Sequence, residues 1–147
     1  MAFYYRKFNP SNLNEVAEIA RKNLTERYSD EIFLSIYRRW PEGFILAEDS
    51  GKIVGFISGS IENLWTARIL MLAVEERYRN VGIGSALLDM FEREARKKNV
   101  TNIRLEVRTD NSNAIKFYQK RKYIISDILP RYYSTGDDAY LMIKILE

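Results

Sequence analysis

The chain has 147 residues, 46% hydrophobic and 29% charged, with a formal net charge of +3 and neither Cys nor His. That length supports one compact core, and the apolar fraction excludes intrinsic disorder. Without Cys there is no disulfide framework or thiolate metal site, and without His no Ser-His-Asp machinery or imidazole zinc site, so a general base must be a carboxylate, a Tyr, a Lys or a water held by one of them.

Ala2 to Phe8 reads as an aromatic-rich first strand that ends at Asn9-Pro10. Leu13, Val16, Ala17, Ala20 and Leu24 then recur at helical spacing, with Ser11 as the expected cap. Ser29 is the N-cap of a second, short helix, with Asp30 and Glu31 in the first turn where the helix dipole favours acids; Pro41 stops it. Phe44 to Glu48 and Ile53 to Ile61 flank Ser50-Gly51 as a hairpin. Ile69 to Val74, the longest unbroken apolar run, reads as a central strand covered on both faces. It is far shorter than the roughly 20 residues of a membrane helix. A polar loop, Glu75 to Val81, leads into a helix from Ile83 to about Lys98. Ile103, Leu105 and Val107 alternate with Arg104, Glu106 and Arg108 as a strand with one polar side. Asn111 to Lys120 reads as the last helix, and Tyr123 to Ile128 and Ala139 to Leu146 as strands around a long polar turn. The order β-α-α-β-β-β-α-β-α-β-β predicts a mixed α/β sheet rather than a doubly wound one. The N-terminal residues show no secretory pattern, which makes a cytoplasmic protein with no membrane contact the expectation. No basic arm or ribonucleoprotein motif accompanies the small net charge, so nucleic-acid binding is not expected.

The most informative stretch is a strand, then Arg79-Asn80-Val81-Gly82-Ile83-Gly84, then a helix. A glycine-bearing turn into a helix N-terminus offers free backbone N–H groups and a positive dipole end, a ready site for a pyrophosphate. A Walker loop would need Gly-Lys-Ser/Thr at its end, and Ser85-Ala86 follows Gly84 instead. A Rossmann loop would need a third glycine where Leu87 stands, and its mid-chain position after an antiparallel run fits poorly.

Arg79-x-x-Gly82-x-Gly84 after Leu72-Ala73-Val74 resembles the acetyl-CoA-binding motif of the GNAT superfamily of acetyltransferases. Leu105 to Arg108, Asn111, Ala114-Ile115 and Phe117-Tyr118 resemble the second half of that cofactor site. Arg131-Tyr132-Tyr133 with Gly136 to Met142, and Leu24 to Tyr28, are similar to the substrate segments of its protein N-alpha-acetyltransferase branch, which includes the ribosomal-protein alanine acetyltransferases. Thr25, Asn80 and Lys122-Tyr123 depart from the common pattern, which carries Pro, then Gly or a basic residue, then Gly-Phe at those places.

The resemblance implies one N-acetyltransferase domain over residues 1–147. Its fold would be a mixed, mostly antiparallel sheet of about seven strands with about four helices. The expected reaction is direct transfer of acetyl from acetyl-CoA to a protein or peptide N-terminal α-amine, without a metal. An auxiliary subunit or the ribosome is the partner class it suggests. The backbone of Leu72, Ala73 and Val74 would bind the pantetheine arm and hold the oxyanion. Arg79, Asn80, Val81, Gly82, Ile83, Gly84 and Ser85 would cradle the pyrophosphate, with Asn111 as a further cofactor contact or a helix cap. Tyr118 would bind the cofactor and protonate the departing thiolate. Glu106 is the first candidate base and Glu26 the second. Tyr28, Tyr132 and Tyr133, with Glu26, would clamp the substrate peptide. Lys116, Lys120, Arg121 and Lys122 read as a solvated basic helix end. Two other readings stay open on the sequence: the same chemistry on a lysine side chain, polyamine or small molecule, and a non-catalytic acyl-CoA-binding module.

Overall fold

The alternation of apolar and polar positions becomes a single twisted sheet in a computed structural model that describes residues 2–147. Its strands are β1 (Tyr4–Lys7), β2 (Ile45–Asp49), β3 (Lys52–Ile61), β4 (Thr66–Val74), β5 (Asn102–Arg108), β6 (Ile124–Leu129) and β7 (Ala139–Ile145). The helices among the described residues are α1 (Leu13–Asn23), α2 (Asp30–Arg39), α3 (Ile83–Lys97) and α4 (Ser112–Lys120). The spatial order is β1-β2-β3-β4-β5-β7-β6. Every neighbouring pair is antiparallel except β4 and β5. The element order and the mixed sheet agree with the sequence reading.

The helices cover both faces. Val16, Ile19 and Ala20 of α1 and Phe33 of α2 pack with Phe8, Phe44, Leu46, Phe56, Met71 and Ala73 on one side. Leu87, Leu88, Phe91 and Ala95 of α3 pack with Ile57, Ile69, Ile103, Leu105 and Met142 on the other. Strand β4 contributes to both layers, as its two-sided apolar run requires. It starts earlier than the apolar run, because Thr66, Ala67 and Arg68 pair with Asn102, Ile103 and Arg104 of β5. Ser29 caps α2 as expected, its Oγ accepting from the Ile32 N–H. Ser11 does not cap α1. The chain first makes a 3-10 turn at Pro10–Asn12, and Asn9 Oδ1 accepts from the Ser11 N–H at 2.9 Å.

Beside β3, β4 carries one extra residue. Ser58 opposes Met71 and Gly59 opposes Ile69, which leaves Leu70 without a partner. This β-bulge reverses the side-chain alternation: Ile69 joins the α3 layer, and Leu70 and Met71 then both join the α1–α2 layer. It also bends β4, and pairing with β5 ends after Arg68 and Arg104. Beyond that point the two parallel strands diverge.

The bulge site needs Gly59. A Cβ there would lie 2.3 Å from the Arg68 carbonyl oxygen and 2.5 Å from the Phe91 ring. Gly59→Ala is therefore expected to cost about 1–3 kcal/mol, read as a lower denaturation midpoint. An unchanged midpoint would show that β3, β4 and α3 do not approach so closely.

Candidate active site

The divergence of β4 and β5 opens a cleft of about 980 Å³. One wall is β4 from Arg68 to Leu72, the other β5 from Leu105 to Arg108 with Asn111 and Tyr118 beyond it. The α1–α2 loop and the β6–β7 turn close its mouth with Glu26, Tyr28, Tyr132 and Tyr133. Leu72, Ala73 and Val74 pair with Ile57, Phe56 and Gly55 of β3 along one edge only. No strand among the described residues pairs with their other edge, the requirement for binding an extended, amide-rich arm in the manner of a strand.

At the end of β4 the chain turns into α3 through Arg79 to Gly84. Asn80 and Gly82 take positive φ values of 64° and 92°, which turns the backbone sharply at the helix start. The first helical bond runs from the Ala86 N–H to the Gly82 carbonyl, so the N–H groups of Ile83, Gly84 and Ser85 have no intrahelical partner. Val81 is half exposed and Ile83 is buried. Arg79 folds back, its Nε donating to the Val74 carbonyl at 3.1 Å and its guanidinium to Asn23. Ser85 Oγ accepts from the Arg121 guanidinium, which also lies 4.2 Å from the centroid of the Phe117 ring. Arg121 thus belongs to the α3–α4 junction and not to the solvated helix end expected for it.

Helix α4 begins with Asn111, whose Oδ1 accepts from the Ala114 N–H at 3.2 Å. The helix-cap role is thereby seen directly, in a residue that also lines the cleft. Tyr118 is 7% exposed and packs edge-on against Phe117 and Tyr123. Its hydroxyl has no hydrogen-bond partner among the described residues. After α4, Lys122 takes a φ of 75° and makes the turn where the common pattern has glycine. The Tyr123 hydroxyl, absent from the usual Phe, donates to Glu92 Oε2 at 2.8 Å, and Lys144 Nζ donates to Oε1 at 2.8 Å.

The substrate side is a polar network. Glu106 lies on the β5 face away from the α3 core, with its side chain 8% exposed. The Arg68 guanidinium from β4 donates to its Oε1 through Nε at 2.9 Å, Nη2 lies 2.7 Å from the same oxygen as an ion-pair contact, and Nη2 donates to the Tyr132 hydroxyl at 2.7 Å. Glu26 is committed across the mouth: its carboxylate accepts from the Ser134 N–H and Oγ at 2.9 to 3.0 Å. Tyr132 and Tyr133 pack at right angles, centroids 5.0 Å apart. Tyr28 packs edge-on against buried Phe33. The structure thus gathers Glu26, Glu106, Tyr28, Tyr118, Tyr132 and Tyr133 around one cleft, while Arg79 to Ser85 follow β4, the strand that forms one wall. Sequence reasoning missed Arg68 and Ser134 and misassigned Arg121. A charged residue just before an apolar strand was the one signal for Arg68; Ser134 had none, since its partner Glu26 lies far away in sequence, and the Arg121 contact to Ser85 is equally remote.

The chain belongs to the GNAT acetyltransferase family, whose model matches residues 13–123. The crystal structure of Ard1 from Thermoplasma volcanium superposes with a TM-score of 0.97 at 44% identity, covering 100% of this chain and 99% of that one. An N-alpha-acetyltransferase of Sulfurisphaera tokodaii is 33% identical over 90% of this chain and 86% of its own. The NatC complex, solved with Gag peptide and CoA, contains a chain with a TM-score of 0.92 at 27% identity, covering 100% of both.

The buried phenols make a direct test of the site's packing. Burial pushes the Tyr118 hydroxyl up, helped by Tyr133; burial also raises Tyr133, beside Tyr132 and Glu106, and Tyr123, beside Glu92. Each folded value lies above the ordinary value of about 10, so stability held by the neutral phenols is complete below about pH 10 and is lost as pH rises further. In an alkaline titration followed by phenolate absorbance, these groups should ionise late, together with unfolding. Tyr118→Phe should reduce only the late phase. A reduction of the early phase would place Tyr118 in solvent.

Proposed function

We propose that the cleft brings an acetyl thioester and a peptide α-amine together for direct transfer, with Glu106 as proton acceptor and Tyr118 as proton donor. The chain is an acetyl-CoA-dependent N-alpha-acetyltransferase. The observation that carries this reading is the parting of β4 from β5: it sets a backbone edge without a strand partner, a helix N-terminus and a carboxylate near one space.

The residues fit acetyl-CoA at three places. The free β4 edge at Leu72, Ala73 and Val74 suits the amides of the pantetheine arm, the N–H groups of Ile83, Gly84 and Ser85 suit the pyrophosphate, and the unpartnered Tyr118 hydroxyl suits the sulfur. Acetyl-CoA supplies an activated carbonyl and a thiolate leaving group. Backbone N–H groups of β4 stabilise the negative charge that develops on the carbonyl oxygen. An N-terminal amine is mostly protonated at pH 7, with a pKa near 8. Glu106 takes its proton, directly or through a water, and the amine then attacks. The N–C bond forms, the C–S bond breaks, the nitrogen loses its second proton to water as the amide forms, and Tyr118 gives its proton to the sulfur and is reprotonated from water. Burial keeps that phenol neutral, and the same dry surroundings make the thiolate a stronger base.

Tyr28, Tyr132 and Tyr133 clamp the incoming peptide, and Glu26 with Ser134 closes the mouth over it. The clamp suits a peptide better than a small amine, since its aromatic rims lie outside the reacting centre. The substrates are protein N-termini. Among the described residues no helix is long and apolar enough to cross a membrane, which accords with a cytoplasmic site of action. In NatC the similar chain works within a complex, and an auxiliary subunit is the partner class we propose here.

Peptides beginning with Ser, Ala and Met, their N-acetylated forms, free lysine and spermidine would be compared for thiol release from acetyl-CoA. Free-amine peptides alone should react and gain one acetyl on the α-amine, seen by mass spectrometry. Reaction with spermidine but not peptides would move the function to small amines. Glu106→Gln and Tyr118→Phe should each lower kcat about 100-fold or more; kcat within twofold of the parent would remove that residue from the chemistry. Ser134→Ala should raise the peptide KM, and Glu26→Gln should do the same with little change in kcat, as expected of a mouth closure and not of a base.

A further inference from the structure

Arg68 is the last β4 residue paired with β5, opposite Arg104. It stands where the strands begin to part, and its guanidinium spans the inner end of the cleft. Both close contacts to Glu106 fall on the same oxygen, Oε1. The other oxygen, Oε2, has no cation within hydrogen-bond distance among the described residues; the nearest is Arg104 Nε at 3.9 Å. The same Nη2 that meets Glu106 also meets the Tyr132 hydroxyl. Nη1 lies 3.6 Å from Glu62 of the β3–β4 turn, which fixes the guanidinium from behind.

We infer that Arg68 is a positioning residue for acetyl transfer: it grips one oxygen of Glu106 and the Tyr132 hydroxyl together, leaving the second Glu106 oxygen as the proton acceptor. The inference rests on reading Glu106 as the base. An arginine cannot itself be that base, because it stays protonated in proteins. A guanidinium that donates to Oε1 through Nε and holds Nη2 2.7 Å from the same oxygen fixes the direction of the carboxylate. The tie to Tyr132 sets the substrate clamp by the same anchor, so the amine and its acceptor share one frame. The other charged or titratable groups that face this carboxylate are Arg104 on its own strand, Glu62 behind Arg68, Tyr132 and Tyr133 from the β6–β7 turn, and Tyr28 from the α1–α2 loop. Of these, Arg68 alone is a cation within hydrogen-bond distance.

The test compares the parent enzyme with Arg68→Ala, Arg68→Lys and Glu106→Gln, using a reactive free-amine peptide. Arg68→Ala should lower kcat about tenfold while the KM for acetyl-CoA stays unchanged. Millimolar guanidinium should restore part of the lost kcat, and ammonium should restore less. A purely structural residue would give a loss that guanidinium does not reverse, and that result overturns the inference. If Arg68→Ala does not fold, Arg68→Lys decides. It should lose kcat at a melting temperature close to the parent's, whereas an unchanged kcat overturns the inference. The two readings fail separately: an active Glu106→Gln removes Glu106 as the base and the inference with it. An inactive Glu106→Gln beside an unaffected Arg68→Ala removes only the role of Arg68.

Discussion

One extra residue in β4 governs the molecule. Were Leu70 not bulged out beside Gly59, β4 and β5 would pair along their length as ordinary parallel strands. The sheet would then close, the β4 edge at Leu72 to Val74 would spend its hydrogen bonds on β5, and no cleft would exist. The bulge is held from both sides of the sheet. Gly59 lets Phe91 and the Arg68 carbonyl approach from the α3 side, while Leu70 and Met71 both sink into the α1–α2 layer. Packing of the two helical layers thus maintains a strand defect that backbone hydrogen bonding alone would remove.

The same divergence sorts the chemistry. Backbone groups freed from sheet pairing lie along β4, and free N–H groups lie at the start of α3. Charged side chains lie at the last pair, Arg68 and Arg104, and just beyond it, at Glu106. The proposed proton acceptor therefore stands near the vertex and the proposed cofactor seat along the opening. The phenols differ by environment. Tyr118 is buried at the wall with no partner, and Tyr132 is half exposed with its hydroxyl tied to Arg68. One reads as a proton donor held in reserve, the other as part of a frame.

Much of this was legible in the sequence because it is local. Helical spacing, the Ser50-Gly51 hairpin, the two-sided run at Ile69 to Val74 and the glycine turn into α3 each depend on neighbouring residues. The candidate residues Glu106, Tyr118, Glu26 and Tyr132 emerged by resemblance, and the structure gathers them around one cleft. What stayed hidden depends on residues far apart. The Leu70 bulge is set by its register against β3, and the Arg68–Glu106 pair joins two strands across a helix. The Glu26–Ser134 closure joins the first third of the chain to the last. Ser11 failed as a cap for a local reason: Asn9, ahead of Pro10, starts a tighter turn first.

The central claim is that the unpaired β4 edge is the seat of acetyl-CoA. Residue-resolved hydrogen exchange of the Leu72, Ala73 and Val74 amides, with and without acetyl-CoA, tests it most directly. The account predicts that the amides on the cleft edge slow when acetyl-CoA is added, together with those at Ile83 to Ser85, while those already paired to β3 change little. Binding detected by calorimetry with no new protection along β4 would contradict it.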